Sequence, residues 1–158
     1  MKKFRKPLVL IHVIASVGLL GATSSSLLLA VVAATDRDIA NSAYELISLQ
    51  SLVFGIPLSF IALATGLALG AATKWGVLRY RWTAIKLVLL IGVIFNGALM
   101  IGPTTAQRID GDGSAWQLVL ALGLSAGLLA TSVWLSVYKP GGRLRTASST
   151  RERTPSLA

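Results

Sequence analysis

The sequence predicts an all-α integral membrane protein: a four-helix bundle, up-down-up-down, with both termini in the cytoplasm. Three observations predict it. Four apolar stretches are each long enough to cross a bilayer, charge is scarce and confined to the segments around them, and basic residues collect on alternate connections.

Hydrophobic residues make up 54% of the 158 positions and charged residues 13%, with a mean hydropathy of +0.71. A water-facing surface usually demands roughly 25% charge, whereas lipid solvates an apolar helix surface directly. The net charge of +9 does not describe a nucleic-acid partner. The basic residues sit at helix ends and in tails, interrupted by apolar runs that no soluble basic face tolerates. The absence of cysteine removes disulfides, thiol catalysis, thiolate zinc and iron–sulfur clusters from this chain.

A crossing helix needs about 20 mainly apolar residues. The first predicted span runs from Leu8 to Ala34. It follows a basic start, but its apolar run exceeds the roughly 7–15 residues of a signal peptide, so it is expected to be retained. The second covers about Leu46 to Ala72, with Pro57 as a mid-span kink. The third covers Trp82 to Gly102, with Pro103 read as its stop. The fourth covers about Trp116 to Tyr138, ended by Pro140-Gly141-Gly142. Tyr44 and Trp116 are expected at one interface, and Trp75, Tyr80, Trp82, Trp134 and Tyr138 at the other. Short loops make sequential spans antiparallel neighbours. Asp110-Gly111-Asp112-Gly113 lacks the spaced glutamate of a calcium loop and reads as a turn. Residues 1–138 thus form one domain, and residues 139–158 are expected to be a disordered basic cytoplasmic tail.

Orientation follows from lysine and arginine. One side receives Lys2, Lys3, Arg5 and Lys6, then Lys74, Arg79, Arg81 and Lys86, then Lys139, Arg143, Arg145, Arg151 and Arg153. The other receives only Arg37 and Arg108, beside Asp36, Asp38, Glu45, Asp110 and Asp112. The positive-inside rule makes the basic side cytoplasmic.

Ionisable residues within a span are the first functional candidates, because lipid disfavours them. His12 lies about one turn into the first span and Lys86 about one turn into the third, at similar depth. Lys86 is expected to snorkel toward the headgroups, and His12 to bond a neighbouring helix or interfacial water. Asn96 and the run from Thr23 to Ser26 are expected to meet, either as interhelical glue or as a polar path. Gly66 with Gly70, and Gly123 with Gly127, stand four apart and let helices approach closely; packing within the bundle is the simpler expectation and dimerisation the alternative. No triad, metal set or phosphate-cradling loop is present, so no catalytic residue, metal or cofactor is assigned.

Thr65-Gly66-Leu67, Gly70, Thr73-Lys74-Trp75-Gly76, Leu78-Arg79-Tyr80-Arg81-Trp82 and Lys86, with His12-Val13 in the first span, resemble a group of small four-span integral membrane proteins of unknown function. That group is frequent in actinobacteria and other bacteria. It is distantly similar in layout to the membrane domain of copper-resistance D-type proteins. The resemblance covers about half the chain. It implies a four-span bundle in a bacterial plasma membrane and draws attention to the hairpin of Lys74, Trp75, Arg79, Arg81 and Trp82. It brings no activity, and one histidine with no cysteine ill suits copper.

The functional expectation is a non-enzymatic accessory or interaction subunit. Its partners are the lipid bilayer and either a second copy or another membrane protein. A small-solute or metal-ion transporter, and a haem- or quinone-associated redox subunit using His12 across a dimer, are the alternatives.

Overall fold

The computed structural model describes residues 2–72, 81–112 and 114–138, and every regular element among them is helical. In chain order these are α1 (Lys2–Thr35), α2 (Ala40–Gln50), α3 (Ile56–Ala72), α4 (Arg81–Asn96), α5 (Gly102–Ile109) and α6 (Ala115–Tyr138). A five-residue π-helical turn, Ser51–Gly55, joins α2 to α3, and another, Gly97–Ile101, joins α4 to α5. The result is four helices long and apolar enough to cross a membrane: Arg5–Thr35, Ala40–Ala71, Trp82–Ile109 and Ala115–Tyr138. Leu120, Val137, Val88, Leu28 and Leu99 are each about two-thirds exposed on the outside, a surface suited to lipid rather than water.

The two π turns share one cause. Each ends two residues before a proline, Pro57 or Pro103. Proline has no N–H to donate, and its ring clashes with the carbonyl four residues back. Widening the preceding turn to an i→i+5 bond moves that carbonyl aside without ending the helix. The widened bonds run from the Ile56 N–H to the Ser51 carbonyl and from the Gly102 N–H to the Gly97 carbonyl.

Pro57 therefore disturbs its span as expected, but Pro103 does not stop the third helix. That helix continues to Ile109 and ends in a glycine cap. Gly111 adopts φ +90°, its N–H reaches the Arg108 carbonyl at 3.2 Å, and the Asp112 N–H reaches the Gln107 carbonyl at 2.8 Å. The positive φ is why glycine serves there, and the acidic stretch is a turn, as its missing glutamate predicts. At the amino end, α1 starts earlier than the apolar pattern suggests and carries Pro7 within it.

The first span packs against the second and fourth, and the fourth against the third. The second and third meet through α2 and α5, and less extensively through α3 and α4. The tightest core lies near the α1–α2 connection: Ala30, Ala33, Ala40, Ala43, Tyr44, Ile47, Ile101, Leu118, Ala121 and Leu122. Half of these are alanine, and small side chains let backbones close on one another. Tyr44 is fully buried, with the Arg108 guanidinium 5.1 Å from its ring centroid, a cation–π spacing that keeps the charge over the ring face.

Candidate functional site

Two clamps hold the helix pairs. Asn96, the last residue before the second π turn, donates from Nδ2 to the Ala121 carbonyl at 2.7 Å and to Ser125 Oγ at 2.8 Å. Gln50, the last residue before the first π turn, donates from Nε2 to the Ala22 carbonyl at 3.1 Å and accepts from Ser26 Oγ at 3.3 Å. Each amide stands seven residues before its proline. Each bonds an alanine carbonyl and, four residues on, a serine hydroxyl of the neighbouring helix. Asn96 and the serine run therefore do not meet, contrary to expectation. Asn96 faces the fourth span, Ser26 faces Gln50, and Ser24 and Ser25 are exposed. Gln50 had no place among the candidates. Its signal was available, as an amide in an apolar run at the same distance from a proline as Asn96.

At the other end the packing opens. A cavity of about 390 Å³ lies between the four spans, and its polar lining includes Arg5, His12, Ser16, Lys86, Ser132 and Ser136. Leu63, Leu67, Leu87, Leu90, Leu128 and Leu129 supply much of its apolar wall. A mainly apolar concavity with a few convergent polar groups is the usual form of a small-molecule site. Val9, Leu67 and Val133 line it and remain 40–44% exposed, so it is not sealed from the outer apolar surface. A second recess, of about 480 Å³, lies by Arg37, Asn41, Arg108 and Gly111 at the opposite end. Most of those residues are exposed, which makes it a surface depression.

Local chemistry fixes how His12 stands. The Thr65 hydroxyl donates to the Ile61 carbonyl at 2.6 Å, so its lone pair accepts from His12 Nδ1–H at 2.9 Å. That arrangement selects the Nδ1–H tautomer and leaves Nε2 as an acceptor. Gly66 makes room for the ring: a Cβ there would stand 3.2 Å from His12 Cε1. Lys86 Nζ donates to Ser136 Oγ, whose own proton goes to the Ser132 carbonyl at 3.0 Å. Lys86 is thus drawn across to the fourth span and sits in the cavity wall, half-buried, instead of only reaching outward. The expectation that His12 and Lys86 share a depth agrees with their common cavity; Asn96 does not line it.

The remaining candidates divide. Gly66 and Gly70 line the cavity, and Gly70 is buried. Gly123 and Gly127 are not close-packing sites among the described residues, because none of these stands within 4 Å of a Cβ at either. Of the predicted hairpin, Lys74, Trp75, Arg79 and the Arg81 side chain lie outside the described residues, as does the segment 139–158; Trp82 lines the cavity. Among the described residues no group of three or more metal-ligating side chains could hold an ion.

Compared with known proteins, the chain matches no family model, no curated protein and no solved structure.

Proposed function

We propose that this chain is a multi-pass protein of a bacterial plasma membrane, amino and carboxyl ends in the cytoplasm, which acts without catalysis by holding a small molecule between its four helices. The orientation rests on the basic residues around the cavity end, set against the acidic residues of the opposite connections. The single observation that carries the binding role is the interhelical cavity in which His12 and Lys86 converge. These are the two ionisable residues that the span pattern singles out, and intramembrane ionisable groups mark sites of function. Their hydrogen-bond partners are neutral hydroxyls, Thr65 and Ser136, and among the described residues no carboxylate lines the cavity. The constellation lacks the acid–base pair of a hydrolase and the carboxylate relay of a proton-coupled pump. It suits a binding or accessory component.

The test is the molecular complement that the protein carries out of the membrane. Purified in mild detergent, the full chain should retain a small molecule detectable by mass spectrometry. Ser132→Phe, which fills the cavity from the fourth span, should lose it while keeping the helical content. An identical complement in both proteins would overturn the binding role.

A further inference from the structure

We propose that the ligand of this cavity is a single-chain amphiphile with an anionic head, a carboxylate or a phosphate, drawn sideways from the cytoplasmic leaflet. This inference rests on the binding role above and names the class of molecule bound.

Charge comes first. Arg5, His12 and Lys86 line one cavity. The acidic residues of the described chain are Asp36, Asp38, Glu45, Asp110 and Asp112, all at or near the opposite connections. No described carboxylate therefore reaches the cavity to balance the cations. A half-buried ammonium with a single hydroxyl partner retains unused donors, and its desolvation is offset only by a counter-charge. The Thr83 hydroxyl lines the same cavity, its oxygen is buried, and it has no hydrogen-bond partner among the described residues. An anionic head between Lys86 and Arg5 supplies the missing charge and an acceptor for these donors.

Shape gives the tail. Deeper than His12 and Ser132 the wall becomes leucine, with Leu63 on the second span and Leu128 and Leu129 on the fourth. The volume of about 390 Å³ is near the lower end of ligand pockets, which run from roughly 300 to 1,000 Å³. That is room for one chain rather than two. Val9, Leu67 and Val133, on three different spans, line the cavity and also reach the outer apolar surface, so a tail enters from lipid between spans without crossing water. A charged head also finds Arg5, an exposed lining residue one turn before Val9, at the end that the positive-inside rule directs to the cytoplasm.

The experiment uses the full chain in nanodiscs of a zwitterionic lipid, with three probes that share one acyl chain: oleate, oleoyl lysophosphatidate and oleyl alcohol. Binding is read by native mass spectrometry and by displacement of a fluorescent fatty acid. One oleate or one lysophosphatidate per chain is expected, each at least roughly tenfold tighter than the alcohol, and Lys86→Met should remove most of that preference. Preference for oleate alone, or for lysophosphatidate alone, identifies which head the site accepts within the proposed class. Equal affinity for the alcohol, or an unchanged preference in Lys86→Met, overturns the anionic assignment. In that case, loss of all three probes in Ser132→Phe still upholds the binding role. If none of the three binds and nothing co-purifies, both readings fall.

Discussion

The two ends of this bundle solve the same packing problem differently. Near the α1–α2 connection, alanines bring the helices together, Tyr44, Ile47 and Leu118 fill the interior completely, and two amide clamps tie neighbouring spans. At the other end, the buried apolar cluster shrinks to Leu19, Val93 and Leu129 with partly buried leucines around them, and the cavity takes the rest of the space. The contrast has a physical origin in residue size. In lipid, helices gain little from hiding apolar surface, since the tails are as apolar as leucine, so association depends on close contact and interhelical hydrogen bonds. Where small residues and amides supply both, the interior closes. Where leucines and cations face inward, it stays open. Close packing thus belongs to one end and the open cavity to the other.

The largest expected effect tests that division directly. Leu118→Ala should cost about 2–5 kcal/mol, because the site is fully buried and its neighbours are too tightly held to collapse into the gap. Leu90→Ala, at a partly buried position on the cavity wall, should cost less, about 1–2 kcal/mol, since its side chain has fewer packed contacts to lose. Reversible unfolding in mixed detergent and sodium dodecyl sulfate measures both. Equal costs would dissolve the distinction between a packed end and an open one.

The clamps give a finer comparison. Asn96 makes two short bonds to a buried serine and a carbonyl, so Asn96→Ala should cost up to about 1.7 kcal/mol, near the top of the range for interhelical hydrogen bonds in membranes. Gln50→Ala breaks longer bonds and should cost about 0.6 kcal/mol. The same unfolding assay ranks them. A reversed order would mean that hydrogen-bond length is not what separates the two clamps.

These clamps also mark the limit of what the sequence makes legible. Span length and hydropathy are properties of one helix, and they located all four helices. The depth of His12 and Lys86 is likewise a count of residues from a helix end, and both line one cavity. Which helix faces which is a property of pairs, and there the pattern failed. Asn96 was matched to the first span when its partner is the fourth, and Gln50 passed unnoticed because no partner could be named for it. Pro103 misled for another reason. A proline stops a helix in water, where the freed carbonyl and the clash are relieved by unwinding. In an apolar surrounding, unwinding leaves more backbone groups unsatisfied, and a π turn is the cheaper adjustment. The burial of Tyr44 with Arg108 over its ring is likewise a property of a pair, far apart in sequence and close in space.

The smallest effects concern the glycines, where one spacing rule covers two unlike settings. Gly127→Ala should change stability by less than about 0.5 kcal/mol, since no described residue stands within 4 Å of where its Cβ would go. Gly66→Ala is different in kind. Its Cβ would press on the His12 ring, which must shift from the Thr65 hydroxyl that orients it. Displacement of the imidazole should appear as a changed His12 side-chain NMR signal and a modest loss of probe binding, with little loss of stability. If Gly127→Ala instead destabilised the protein in a concentration-dependent way, its outward face would be a contact between copies, and the spacing of four would report assembly rather than packing within one chain.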